Sequence, residues 1–295
     1  MSNPLLSAAA WSARRLPMPV KRLFYRIPPL ARLLRGALNR AAPAGLSEVT
    51  IAAGGLQGLT MLLDLHSEKD YWLGTYEPEL QTALAELVQP GTVAYDVGAN
   101  AGYISLLLAR LAGPQGQVFA FEALPENAER LQRNVALNHL EAQVSVVHAA
   151  VIDASRPVRF LIGPSDDMGK AEGSAGRQEM TYTQAIEVTG ISLDDFVYTQ
   201  GHSRPQVIKL DIEGGEVLAL PGMRRLLRQV RPLLLIELHG PEAARAAWET
   251  LRPAGYRLCQ MRRGWPVIKT LDELDWKAYL VAFPPRPVAG AADES

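Results

Sequence analysis

Two carboxylates stand where apolar runs end, and each could meet a ligand. Asp96 closes Val-Ala-Tyr-Asp and is followed by Val-Gly-Ala-Asn-Ala-Gly as far as Gly102, while Glu122 closes Val-Phe-Ala-Phe-Glu. Small residues such as Gly98 and Gly102 at a strand-to-helix turn let a ligand approach the backbone. The start of the following helix offers unpaired N–H groups to an anion. That anion is a pyrophosphate in a dinucleotide enzyme, or the carboxylate of an amino-acid cofactor. A carboxylate at the next strand end, Glu122, can take both ribose hydroxyls. The loop departs from Gly-x-Gly-x-x-Gly, because Asn100 occupies its middle position.

A second group lies downstream. In Val207–Glu213, alternation places Lys209, Asp211 and Glu213 on one side of a strand, and in Leu233–His239 it pairs Glu237 with His239. Asp211, Glu213 and His239 are the candidate bases, with His239 having the suitable intrinsic pKa. The competing reading for His239 is a histidine hydrogen-bonded to the backbone at a strand-to-helix corner. For Asp211 and Glu213 it is an ion pair with Lys209 and capping of the next helix. No dense Asp/Asn cluster calls for a metal, although Asp211 with Glu237 could form a weak site. His148 reads as a packed or exposed residue, Phe121 as core and Asn138 as a helix cap.

The elements that must carry these residues follow from periodicity. A hairpin is expected over Ser47–Ile51 and Leu56–Leu65, and a helix over Thr75–Val88. Strands are expected at Thr92–Val97, Gln117–Phe121, Val144–Val147, Val207–Ile212 and Leu233–Leu238. Helices are expected at Gly102–Leu111, Pro125–Asn138 and Pro241–Leu251. Tyr256–Met261 and Trp276–Phe283 form an expected antiparallel pair. Strands separated by helices imply a mainly parallel sheet covered on both faces. Gly163–Gln184 shows no period and reads as a lid or a mobile loop, with Asp166, Asp167, Lys170 and Arg177 as acceptor contacts if it is a lid.

A length of 295 residues allows one large domain with appendages. A net charge of −1 gives no argument for a nucleic-acid partner. The single cysteine, Cys259, excludes a disulfide framework and a multi-cysteine zinc site, and points to a reducing, cytoplasmic setting. Charge is nevertheless uneven: Met1 to Leu46 carries no acidic residue but holds Arg14, Arg15, Lys21, Arg22, Arg26, Arg32, Arg35 and Arg40. Such a basic arm can touch an anionic membrane surface, act as an organellar presequence, stay disordered or pack as a helix.

Taken together, Val-Ala-Tyr-Asp-Val-Gly-Ala-Asn-Ala-Gly-Tyr (93–103), Phe-Ala-Phe-Glu-Ala-Leu-Pro-Glu-Asn (119–127), Ile-Lys-Leu-Asp-Ile-Glu-Gly-Gly-Glu (208–216) and Leu-Ile-Glu-Leu-His (235–239) resemble the FkbM family of methyltransferases. The likeness runs over about Tyr76–Pro284. It implies an α/β class I methyltransferase (Rossmann-like) sandwich: a mainly parallel seven-stranded sheet, antiparallel last strand, helices on both faces. It also implies S-adenosyl-L-methionine as cofactor, and O-methylation of a hydroxyl on a sugar, glycan or polyketide-like metabolite. Carried over by position, Asp96, Gly98, Asn100, Gly102 and Glu122 become cofactor contacts, joined by Glu77 in Tyr-Glu-Pro and by Ala150 and Val151 beside the adenine. The expected division is a basic arm (1–46), a hairpin lead-in (47–75), the methyltransferase domain (76–284) and a disordered tail (285–295). A nicotinamide-dependent oxidoreductase and a non-catalytic protein of the same fold, tethered by its arm, remain as alternatives.

Overall fold

The computed structural model describes residues 3–16, 28–163, 169–176, 182 and 184–285. The Pro17–Arg26 part of the arm, Asp166, Asp167 and Arg177 of the expected lid, and the tail from 286 lie outside them. Two strands, β1 (Leu46–Thr50) and β2 (Thr60–Asp64), pair as the expected antiparallel hairpin. Before it run helices at Pro4–Arg15 and Pro28–Ala41. The first packs on the domain: Leu6 and Ala13 are buried, and Arg14 Nε donates to the Ala52 carbonyl at 3.0 Å.

The central layer then builds from β3 (Val93–Val97), β4 (Gln117–Glu122) and β5 (Val144–His148), which pair in parallel. The chain leaves this half through β6 (Ala150–Val151), β7 (Arg156–Ile162), β8 (Lys170–Ala171) and β9 (Gln184–Ile191), which form a separate four-stranded sheet in the order β6-β9-β7-β8. It returns as β10 (Val207–Leu210) and β11 (Leu233–His239), then closes with β12 (Arg257–Gln260) and β13 (Lys277–Phe283). The seven-stranded sheet has the order β12-β13-β11-β10-β3-β4-β5, and β13 runs antiparallel to both neighbours. This is the expected class I methyltransferase sheet.

Alternation along the strands divides the core. Ala94, Val118 and Ala120 face one layer with Leu84, Leu106 and Trp72. Tyr95, Val97, Phe119 and Phe121 face the other with Phe196, Met223 and Leu226. Being buried on both faces, these strands read as continuous apolar runs. Helices Tyr103–Ala112 and Pro125–Ala136 link β3, β4 and β5, and Pro241–Leu251 follows β11. The helix expected from Thr75 starts at Pro78, whose ring suits a first helical position.

Among the described residues of the 163–184 stretch, Lys170–Ala171 forms β8. β8 pairs with β7 inside it, and β9, which its exposed residues had hidden, pairs with β7 over seven residues. The strand expected over Val207–Ile212 stops at Leu210, and Glu213 takes a left-handed conformation with φ of 51° in the turn that follows. From β3 the chain winds outward through β4 and β5, then crosses back to β10 on the other side of β3. That reversal makes a switch point between β3 and β10, where open α/β sheets bind ligands beyond the strand ends.

Candidate active site

A cavity opens at this switch point, and the loop after β3 forms one wall. Gly98 has a φ of 79°, and a Cβ there would lie 1.9 Å from the Asp211 carbonyl oxygen. Glycine is therefore demanded twice, by conformation and by close approach. Asn100 sits left-handed at φ 49°, a conformation its short polar side chain tolerates, and its N–H donates to Glu122 Oε2 at 2.8 Å. Gly102 turns the chain into the Tyr103–Ala112 helix with a φ of 90° and does not itself line the cavity.

Asp96 does not line it either. It is wholly buried, accepts a 2.6 Å hydrogen bond from Ser105 Oγ, and lies 3.4 Å from Lys209 Nζ. The geometry makes Asp96 a paired charge behind the loop rather than the cavity-facing contact expected from its place at the strand end. Strand alternation puts it on the same face as Lys209 of the neighbouring strand, with which it is in register. Lys209 spans both: its ammonium also donates to the Gly98 carbonyl at 2.8 Å and lies 3.6 Å from Asp211. Burial works against that charge, but Asp96, Asp211 and Glu77 outweigh it and push its pKa up.

Glu122 does face the cavity, with Leu124 N–H donating to Oε1 at 2.9 Å. Burial pushes its carboxyl above the ordinary range against the pull of those backbone amides. Phe121, Leu124, Ala149, Ala150, Val151 and Phe160 give this end an apolar lining. Phe121 thus serves core and cavity together. His148 stands aside, its Nε2 3.1 Å from the Ala123 carbonyl. Asn138 does more than cap a helix, because it bonds both the N–H and the carbonyl of Thr60 and pins β2.

The opposite end is charged. Glu77, Asp211, Glu213, Glu237 and Lys277 line it. Glu77 is left-handed at φ 39°, and burial raises its pKa. Burial, with Glu237 and Glu77 nearby, pushes Asp211 up to about 7 against the opposing pull of Lys209. His239 is brought to this group but does not line the cavity, being only 2% exposed. Its Nδ1 lies 3.3 Å from the buried Glu216 and its Nε2 3.1 Å from Glu237. Burial alone would lower its pKa, yet the surrounding carboxylates of Glu216, Glu237 and Asp211 hold it up at about 10. Asp211, Glu237 and His239 also converge on one point, although the sequence showed no dense ligand cluster.

Sequence reasoning missed Glu216, Lys277, Tyr71, Tyr76 and Asn127. Glu216 lies inside the Glu-Gly-Gly-Glu run and could have been read from it. Lys277 could not: it reaches the site only because β13 lies antiparallel beside β11, with Lys277 opposite His239 and ion-paired to Glu237. Tyr71, Tyr76, Asn100 and Asn127 are common to this cavity and to a neighbouring groove lined by Asp64, Glu68, Asp70, Glu126, Arg130 and Arg133. Of the expected lid residues, Lys170 turns inward and donates to the Ala175 carbonyl at 2.9 Å, while Gly169 and Ala171 line the cavity.

Residues 96–258 match the family described as methyltransferase FkbM domain. The chain is 26% identical over 163 residues to the hexuronic acid methyltransferase AglP of Haloferax volcanii, covering 55% of this chain and 62% of that one. It is likewise 26% identical over 161 residues to the 31-O-demethyl-FK506 methyltransferase FkbM of Streptomyces tacrolimicus, covering 46% and 61%. The chain thus spans about three fifths of the length of these curated relatives. A crystal structure of methyltransferase FkbM from Methylobacillus flagellatus KT aligns at 20% identity and a TM-score of 0.42, over 74% of this chain and 53% of that one.

Proposed function

The chain belongs to the FkbM methyltransferase family, and from that premise we propose that it methylates a hydroxyl of a sugar, glycan or polyketide-like metabolite with S-adenosyl-L-methionine. One observation carries the reading: a single cavity joins an apolar slot to Glu122 at one end and to clustered carboxylates at the other. This lining fits the cofactor. Phe121, Val151 and Phe160 suit an adenine, Glu122 suits the ribose hydroxyls, and Glu77 with Lys277 suits the charged ends of an amino acid. When bound, the cofactor supplies a methyl group activated on a sulfonium.

The protein's own task is to hold an acceptor oxygen in line with that methyl carbon and to remove its proton, since alignment lowers much of the barrier. Asp211 and Glu213 are the cavity-lining carboxylates at the carboxyl edge of β10, placed to accept the proton. His239 lies behind them and is a positioning residue. The adjoining groove, lined by carboxylates, arginines, Tyr71 and Tyr76, suits a polyhydroxylated acceptor. The named relatives act on a hexuronic acid and on a demethylated FK506, which supports a hydroxyl acceptor.

The test uses labelled S-adenosylmethionine, purified protein and extract from a strain deleted for it, followed by mass spectrometry. The expected result is label in an O-linked methyl ether, lost with Glu122→Ala. Label on nitrogen or carbon, or none in any extract, overturns the reading.

A further inference from the structure

Asp211, Glu237 and His239 each offer one ligand atom, and those three atoms lie within 4.8 Å of one another. Acidic groups cluster often, so the histidine decides what this cluster means. His239 is 2% exposed, and its Nε2 has no well-aligned hydrogen-bond partner. Yet that nitrogen is aimed among carboxylate oxygens of Glu237 at 3.1 Å, Glu213 at 3.6 Å and Asp211 at 3.8 Å. Either a proton on Nε2 or a cation held between that nitrogen and the oxygens around it satisfies such an arrangement.

The other ring nitrogen explains the orientation. Nδ1 lies 3.3 Å from Oε1 of Glu216, which is wholly buried and also accepts from the Ile212 N–H at 3.2 Å. A carboxylate taking one ring N–H fixes the tautomer and directs the lone pair of the other nitrogen, the usual outer shell of a metal-bound histidine. Around the point stand Glu77, Asp211, Glu213, Glu216 and Glu237, with Lys209 and Lys277 opposing them. Lys209 is already engaged by Asp96 and the Gly98 carbonyl.

We propose that Asp211, Glu237 and His239 hold a divalent cation at the carboxyl edges of β10 and β11, facing the cavity. Two carboxylates and an imidazole form a mixed hard and borderline donor set, which suits manganese(II) better than magnesium. Three protein ligands leave coordination positions open on the cavity side, which Asp211 and Glu237 both line. Resting on the methyltransferase reading, the cation's task is to lower the pKa of the acceptor hydroxyl beside it, with Glu213 left to receive the proton.

Binding is measured without turnover. Full-length protein stripped with a chelator and desalted is titrated with manganese(II) chloride, following loss of the free-ion electron paramagnetic resonance signal. One saturable site per chain is expected, weakened at least tenfold by His239→Ala and by Glu237→Gln. Glu216→Gln, acting through the histidine, should weaken it about tenfold. Near-UV circular dichroism checks folding, and the less buried Asp211→Asn replaces any variant that fails. Calorimetry with S-adenosylmethionine on the same samples separates the two claims. Cofactor binding without a manganese site overturns the metal assignment and leaves His239 an imidazolium clamp; manganese binding without cofactor binding overturns the proposed function alone. Manganese binding that survives all of the folded ligand variants also overturns the assignment.

Discussion

The Lys209 ammonium donates to the Gly98 carbonyl at 2.8 Å, tying two sequence motifs 111 residues apart into one wall. The same ammonium lies 3.4 Å from Asp96, so one side chain neutralises the buried carboxylate and holds the loop above it.

Removing that cation leaves Asp96 buried without a counter-charge. Breaking a buried pair on one side costs ~3–5 kcal/mol. Lys209→Met should therefore lower the melting temperature by roughly 10 °C at a few degrees per kcal/mol, read by calorimetry. A melting temperature unchanged within error would show that the pair contributes nothing.

Gly98 and Gly113 both have positive φ, 79° and 67°, but differ in surroundings. A Cβ at Gly113 meets nothing within 4 Å, whereas at Gly98 it strikes the Asp211 carbonyl. Gly113, at ψ −174°, lies in an extended region that side chains rarely enter, so Gly113→Ala should cost only a conformational strain of about 1–3 kcal/mol. Gly98→Ala should cost more and weaken cofactor binding at least tenfold, because the loop must move off β10. Equal effects of the two substitutions, in denaturant melts and in calorimetry, would contradict the close approach.

Glu122 titrates above the ordinary carboxylate range because burial disfavours its charge. Ribose hydroxyls are held by the ionised form, so cofactor affinity should fall as pH drops through that raised value. In Glu122→Gln, affinity should be weak and flat over the same range. Calorimetric titrations from acid to neutral pH check both slopes. A wild-type affinity that rises on acidification would remove Glu122 as a ribose acceptor.

The first helix exposes Leu5 by 53% and Trp11 by 62%, while its inner face packs on the domain. Membrane contact through the arm thus has a direct test: full-length protein should sediment with phosphatidylserine vesicles, and Trp11→Glu should reduce the bound fraction severalfold. No sedimentation at low salt removes this role.

Sequence periodicity located the strands of the central sheet because they are buried on both faces and read as plain apolar runs. The motif at Asp96–Gly102 was legible as a loop, but not which side chains face the cavity. Asp96 turned inward because Ser105 and Lys209 wait beneath it, and this depends on the parallel pairing of β3 with β10. Glu122 needed only its place at a strand end. β9 went unread because its outer residues are exposed and its partner β7 lies across a long loop. Lys277 and the full setting of His239 depend on the antiparallel β13, a pairing between residues 38 positions apart that no local pattern reports.

The proposed function requires this cavity to hold S-adenosylmethionine against Glu122. Its most direct measurement is calorimetric titration of the purified chain with S-adenosylmethionine and, separately, with nicotinamide adenine dinucleotide. Saturable binding of one S-adenosylmethionine per chain is expected, lost in Glu122→Ala while the variant stays folded, with no binding of the dinucleotide. Binding of the dinucleotide in its place, or of S-adenosylmethionine with equal affinity in the Glu122 variant, would contradict it.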